Sequence, residues 1–236
     1  MNVEPLMVIM SPRDFPIVWY WINKIDFLDK LIIKYHLHHE AHRIALEFFK
    51  KHKEYTHFLI STDDVIYTPE HVKLLLKDAV EHDFKVVSAY TNWSFKRRWV
   101  NITTKDLRYL ERKKAFVTAR DYEFLTLDNV ITYDLENPFM QVHFVGLPLT
   151  LIKREVLEIC PFKPFKWIYD RALGVFAKRG IMFDLEFSNC CKKNNIPIYV
   201  DLRLLLMHFG NTRKHINLKG KRKEVIFIPK KRSLKL

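Results

Sequence analysis

Along the first ninety positions, short saturated apolar runs alternate with longer stretches whose apolar residues recur at helical spacing. "EPLMVIMSP" is an apolar run closed by Ser-Pro and predicts a buried strand. "PIVWYWINKIDFLDK" predicts a helix, with Pro16 near its start, where the missing N–H does no harm. "KLIIKY" predicts a second buried strand. "HHEAHRIALEFFKKH" gathers Ala41, Ile44, Ala45, Phe48 and Phe49 on one stripe of an amphipathic helix. "THFLIS" is a third strand. "TPEHVKLLLKDAVEH" opens with Thr68 as N-cap, Pro69 at the first helical position and Glu70 in the first turn. "FKVVSAY" is a fourth strand. This alternation implies crossover connections, so the expected fold class is α/β, a mostly parallel central sheet with helices on both faces.

Residues 91–140 break the rhythm. Loops, a short helix near Lys105–Lys113 and a minor strand or two are expected there. Beyond them, "MQVHFVG" predicts a strand, while "LIKREVLEIC" and "WIYDRALGVFAKRG" predict helices, the latter stopped by Gly180. "DLEFSNCCKKNN" predicts a further helix with Asp184 near its start, where an anion suits the helix dipole. "IPIYVD" and "LRLLLMHF" read as two strands. The expected organisation is one domain over 1–212, interrupted by the irregular insert 91–140, and a basic tail over 213–236.

Composition supports a packed domain: 48% of the 236 residues are hydrophobic and 14% aromatic. No uncharged apolar run approaches the ~18 residues of a membrane span. The start lacks a basic n-region and carries Glu4, against a signal peptide. Cys160, Cys190 and Cys191 are odd in number and two are neighbours, so all three are expected to be reduced, in a cytoplasmic protein. The net charge of +13 is uneven, because residues 213–236 hold ten Lys/Arg and one acid, Glu224. Such a tail reads as a solvated end or as a peripheral contact with anionic membrane, nucleic acid or a phosphate-rich substrate, although "EVIFIP" within it could be a strand that docks on the body.

The chemistry concentrates in "FLISTDDVIY". Asp63 and Asp64 end an apolar strand, and ligands of open parallel sheets sit beyond such ends. Two adjacent anions there need a cation or donors; Mg²⁺ or Mn²⁺ would compensate them through oxygen ligands, and otherwise they are solvated turn acids. His208, ending "LLMHF", could add a neutral nitrogen ligand to the same ion, or be a hydrogen-bonded core residue.

"THFLISTDDVIYTPEHVKLLL" resembles the strand, acidic motif and Pro-led helix of nucleotide-sugar glycosyltransferases of the GT-A fold, in the manner of family 2. "HFVGLPLTLIKREVLEI" is similar to the stretch before their acceptor site, "DLEFSNCCKKNNIPIYVD" to their acid-x-x-Phe helix and following strand, and "MHFG" to a late metal-binding histidine. The resemblance runs in order over about residues 5–210. It implies a Rossmann-like GT-A fold and transfer of a sugar, with inversion, from a UDP- or GDP-sugar to a hydroxyl of a glycan, protein or lipid. It further implies Mn²⁺ or Mg²⁺ held by Asp64, with Asp63 and His208, and donor binding by Ser11, Arg43, Asp63 and Asp64. Asp184 matches the general base, with Glu186 as the spare candidate. Its place at a helix N-terminus is expected to keep Asp184 ionised. Two departures stand out: Thr62 occupies the first acidic position of the motif, and Phe183 stands where the family often has another acid.

Two other readings compete. Asp63, Asp64 and Asp184 could hold Mg²⁺ in a nuclease or nucleic-acid-binding protein whose basic tail grips phosphate. A GT-A-like domain without catalysis could bind glycans or partners. "HLHHEAHR" places His38 and His42 four apart, but Arg43 occupies the second histidine position of the H-E-x-x-H pattern. Trp93, Phe95 and Trp99 in "TNWSFKRRWVN" read first as packing under a loop.

Overall fold

The first apolar run is a strand, β1 (Pro5–Ser11), buried along its whole length. Its side chains alternate between two cores: Leu6, Val8 and Met10 enter one, Met7 and Ile9 the other. A strand buried on both faces needs helices on both faces. α1 (Pro16–Lys24) sets Val18 and Ile22 on the Met7 side, and its last carbonyls, of Ile22 and Ile25, accept from the buried Lys30 Nζ at 3.1 and 2.6 Å. β2 (Asp29–Lys34) follows, and α2 (His38–Lys51) sets Ala41, Ala45, Leu46 and Phe49 on the Leu6 side. β3 (His57–Thr62) and the two-residue β4 (Val65–Ile66) flank the acidic pair. α3 (Pro69–Glu81) returns to the Met7 side through Val72, Leu75 and Leu76. Its expected cap is present: Thr68 Oγ1 accepts from His71 N.

The computed structural model describes residues 3–11, 15–94, 98–105, 123–133, 136–162, 168–170, 175–177, 183–209 and 220–233. After β5 (Val86–Ser94) come the short β6 (Trp99–Val100), β7 (Ile102–Thr103) and α4 (Leu127–Ile131); the expected helix near 105–113 lies almost wholly outside the described residues. "MQVHFVG" is split into β8 (Phe139–Val142) and β9 (Phe144–Val145). The helix expected over "LIKREVLEIC" is shortened. Leu149–Lys153 is a strand, β10, because Leu151 and Ile152 fill opposite cores between β3 and β5, and only Arg154–Ile159 is helical, as α5. The helix expected over 167–180 is also corrected, since β11 (Ile168–Asp170) and β12 (Val175–Ala177) pair antiparallel there. α6 (Phe183–Lys193) is helical as expected. β13 (Ile198–His208) joins the two expected strands into one, with a register shift between Val200 and Leu205.

With a last strand, β14 (Glu224–Ile228), the fold is α/β with a mixed sheet, in the order β14-β2-β1-β3-β10-β5-β13-β4, with β6 beside β5 and β8 beside β13. β1, β2, β3, β5 and β13 run in one direction, but β10 inserts antiparallel between β3 and β5, and β4, β6, β8 and β14 are antiparallel to their neighbours. The expectation of a mostly parallel sheet therefore holds for the long strands and not for the sheet as a whole.

β14 (Glu224–Ile228) lies inside the segment expected to be a tail. It pairs with β2 from Glu224↔Lys34 to Ile228↔Lys30, and Phe227 meets Phe48 at 5.5 Å. Cations around it are paired with acids of the body: Lys223 with Glu40, Lys230 with Glu4 and Arg232 with Asp26. The apolar "VIFI" gains a sheet edge, which the charge count did not reveal. The cysteine expectation is corrected as well. Cys160, just after α5, and Cys190, in α6, form a disulfide with Cα atoms 5.5 Å apart, because both helices pack on the Leu6-side core. Cys191 is free and buried. Among the described residues, no helix is long and apolar enough to cross a membrane.

Candidate functional site at the carboxyl edge of the sheet

From β1 the chain passes through α1 to β2 on one side, then through α2 to β3 on the other. The carboxyl ends of β1 and β3 therefore form a topological switch point, where open α/β sheets leave a crevice for ligands. Ser11 ends β1 and is fully buried; its Oγ donates to Asp63 Oδ2 at 3.1 Å, and Asp63 N donates to Met10 O at 3.1 Å. Asp63, itself fully buried, is locked into the switch point by β1.

Asp64 faces different partners. Thr62 Oγ1 donates to its Oδ1 at 2.6 Å, and His208 Nε2 lies 3.2 Å from its Oδ2. The register explains the second contact, because His208 pairs with Val65 of β4, and Phe209 N donates to Asp64 O at 2.8 Å. Thr62 thus orients Asp64 by a hydrogen bond. Sequence reasoning missed Tyr67, buried beside the same acids. Burial pushes its hydroxyl far above the ordinary phenol range, and the charge of Asp63 adds to the shift. It also missed Asn92, at the carboxyl end of β5, whose buried Oδ1 has no hydrogen-bond partner among the described residues. No local pattern marks either residue, since both are defined by long-range neighbours.

Arg43 sits on the outer face of α2. It is exposed on α2 and paired with Glu47 at 2.8 Å, as a solvated helix residue is. Asp184 and Glu186 occupy the first turn of α6, which packs on β9. Asp184 is 8% exposed, and its Oδ1 accepts from Leu185 N at 2.9 Å. Burial raises its carboxyl to about 7 against the lowering effect of those backbone N–H groups. The expectation that the helix N-terminus keeps it fully ionised is corrected, because desolvation outweighs the dipole.

The acids do not form a three-ligand cage. Among the described residues, no group of three or more His, Cys, Asp or Glu is arranged to hold a metal ion. Asp64 and His208 do form a carboxylate–imidazole pair. That half-set suits Mg²⁺ or Mn²⁺ when the remaining ligands are waters and a substrate's phosphates.

No family model matches the chain, and the search of curated proteins gave no match. Among solved structures it is similar to the crystal structure of A197 from STIV, with a TM-score of 0.52 and 17% identity over 99% of this chain and 98% of that chain. The likeness is one of fold.

Proposed function

We propose that the protein is a nucleotide-sugar glycosyltransferase of the GT-A type, with its donor site at the carboxyl edge. The observation that carries this reading is the gathering of Ser11, Asp63, Asp64 and His208 at the ends of β1, β3 and β13, around the switch point. The unpartnered Asn92 Oδ1 at the same edge offers an acceptor to a ligand hydroxyl or amine.

The direction of α6 supports Asp184 as the base. α6 closes where β13 begins, with Ile196 N on Cys191 O at 2.8 Å, so its first turn lies back toward the carboxyl edge. Asp184 takes the proton of the acceptor hydroxyl; the oxygen attacks the anomeric carbon from the face opposite the diphosphate. The carbon–oxygen bond to the diphosphate breaks and the nucleoside diphosphate leaves, with inversion. Asp64, oriented by Thr62 and His208, and Asp63, fixed by Ser11, hold the donor's diphosphate end. A divalent ion on Asp64 and His208 would supply positive charge to the leaving phosphate. Arg43 has no part in this scheme.

Docking of the C-terminal segment weighs against the nucleic-acid reading, because three of its ten cations, Lys223, Lys230 and Arg232, are engaged by Glu40, Glu4 and Asp26. A thermal-shift panel tests the choice. UDP- or GDP-sugars with Mn²⁺ should stabilise the protein, by about 2.7 kcal/mol at a hundredfold excess over Kd, whereas oligonucleotides should not. Stabilisation by oligonucleotides alone overturns the proposal.

A further inference from the structure

At the opposite, amino edge of the sheet lies a cavity of about 460 Å³, between the end of α3, the approach to β5, and β8 and β13. Aromatic rings line it. Phe84 stacks on Tyr199 at 4.4 Å, and His82 and Phe139 approach one another at 4.6 Å. Asp78, at 3% exposure, stands at its wall beside Arg203, and the fully buried Asp201 lies behind them. Arg203 serves them unequally. Its Nε and Nη2 fork onto Asp201 at 2.9 and 3.0 Å, and Nη2 also reaches Asp78 Oδ1 at 2.7 Å. Asp78 Oδ2 is buried and receives no donor from any described residue.

Two carboxylates against one guanidinium leave this buried cluster one positive charge short. A proton shared by the Asp78 and Asp201 carboxyls supplies that charge when the cavity is empty, and a ligand ammonium competes with it as Asp78 ionises. An ammonium group on an apolar body matches both features, giving N–H donors for Asp78 Oδ2 and a hydrocarbon surface for Phe84, Phe139 and Tyr199. Exposed Glu81 and Glu136 at the cavity add negative potential and so draw cations toward it. The described acids at this wall do not amount to a metal-holding group, which favours an organic cation. We propose that this cavity is a binding site for primary organic ammonium ligands, a site separate from the carboxyl edge and independent of the glycosyltransferase reading.

Proton occupancy gives the site a pH signature. Burial first, then the Asp201 carboxyl beside it, raise the Asp78 carboxyl to about 7, while Arg203 opposes the shift. The other titratable groups facing the pair are Glu81 of α3 and His82 just after it, Glu136, Tyr199 of β13 and Tyr90 of β5, whose hydroxyl is raised by burial and by Asp201. Between pH 6 and pH 8 the ionised fraction of a group titrating near 7 rises about tenfold, so ammonium affinity should rise by up to that factor.

The test is calorimetric titration of the full chain with n-hexylammonium, tetramethylammonium and n-hexanol at pH 6 and pH 8. Hexylammonium should bind, more tightly at pH 8, with the quaternary ion and the neutral alcohol at least tenfold weaker. Asp78→Asn, which keeps the shape, should lose about tenfold in affinity and its pH dependence. Phe139→Leu, at the cavity rim, should weaken binding without altering that dependence. Equal binding of hexanol reduces the site to an apolar hole and overturns the proposal. Unchanged affinity in Asp78→Asn, or no binding of hexylammonium by the wild type, overturns it equally.

Discussion

Ser11 Oγ donates to Asp63 Oδ2 at 3.1 Å across 52 residues of sequence, joining the carboxyl ends of β1 and β3 at the point where the chain reverses its progress through the sheet. A fully buried carboxylate needs such a donor, and a fully buried serine needs such an acceptor. Ser11→Ala should therefore leave Asp63 with a lost donor and destabilise the fold by about 1–3 kcal/mol. Urea denaturation measures it. A stability loss within a few tenths of wild type would show that the pair is not coupled as described.

Asp184 provides the pH test of the proposed base. Its carboxyl is raised to about 7, so the ionised form needed for proton abstraction accumulates as pH rises through that value. Transfer should have an ascending limb centred near pH 7, and Asp184→Asn should reduce single-turnover transfer by ~100- to 10,000-fold. Glu186→Gln should retain most of the rate, because residues two apart on a helix point about 200° from one another. A dead Glu186→Gln enzyme beside an active Asp184→Asn enzyme moves the role along the helix.

Stability should fall over the same range. Asp78 and Asp184 have an ordinary carboxyl value of 3.8 and are both raised to about 7 in the fold. Each holds a proton that the unfolded chain has released, so the associated stabilisation is complete below about pH 4 and is lost as pH rises through 7. Denaturation midpoints between pH 5 and pH 8 should decline, and decline less steeply in Asp78→Asn. Parallel curves for the two proteins would contradict the assignment.

The C-terminal segment is predicted to be structural. Deleting residues 221–236 removes a five-residue edge strand, the Phe227–Phe48 contact and three ion pairs. The melting temperature should fall by about 6–12 °C, the equivalent of about 3 kcal/mol in a chain of this length. An unchanged melting temperature would return the segment to the status of a tail.

How much of this was legible in sequence depends on the range of the forces involved. β1, β2, β3 and helices α2 and α3 follow from periodicity and capping, because their buried faces repeat along the chain. β10 was hidden, since "LTLIK" runs straight into the helical "REVLEI" and only the slot between β3 and β5 makes it a strand. β14 was legible only as an alternative, "EVIFIP" docking on the body, because its flanking lysines and arginines read as a tail and their acid partners lie up to 226 residues away. Asp63, Asp64 and His208 were readable as strand-end residues, while Tyr67, Asn92 and the Asp78–Asp201–Arg203 cluster exist only through tertiary contact. Arg43 had no local mark to distinguish it from any other solvated helix arginine.

The most direct test of the carboxyl-edge donor site is calorimetric titration of UDP and GDP, with Mn²⁺ present, into the wild type, Asp64→Ala and Asp78→Asn. One nucleotide should bind the wild type, and Asp78→Asn, altered at the far edge of the sheet, should match it. Asp64→Ala should lose at least tenfold in affinity, about 1.4 kcal/mol, with an unchanged melting curve in the absence of ligand. Equal affinity in Asp64→Ala and wild type, or no binding of either nucleotide by the wild type, would contradict the account.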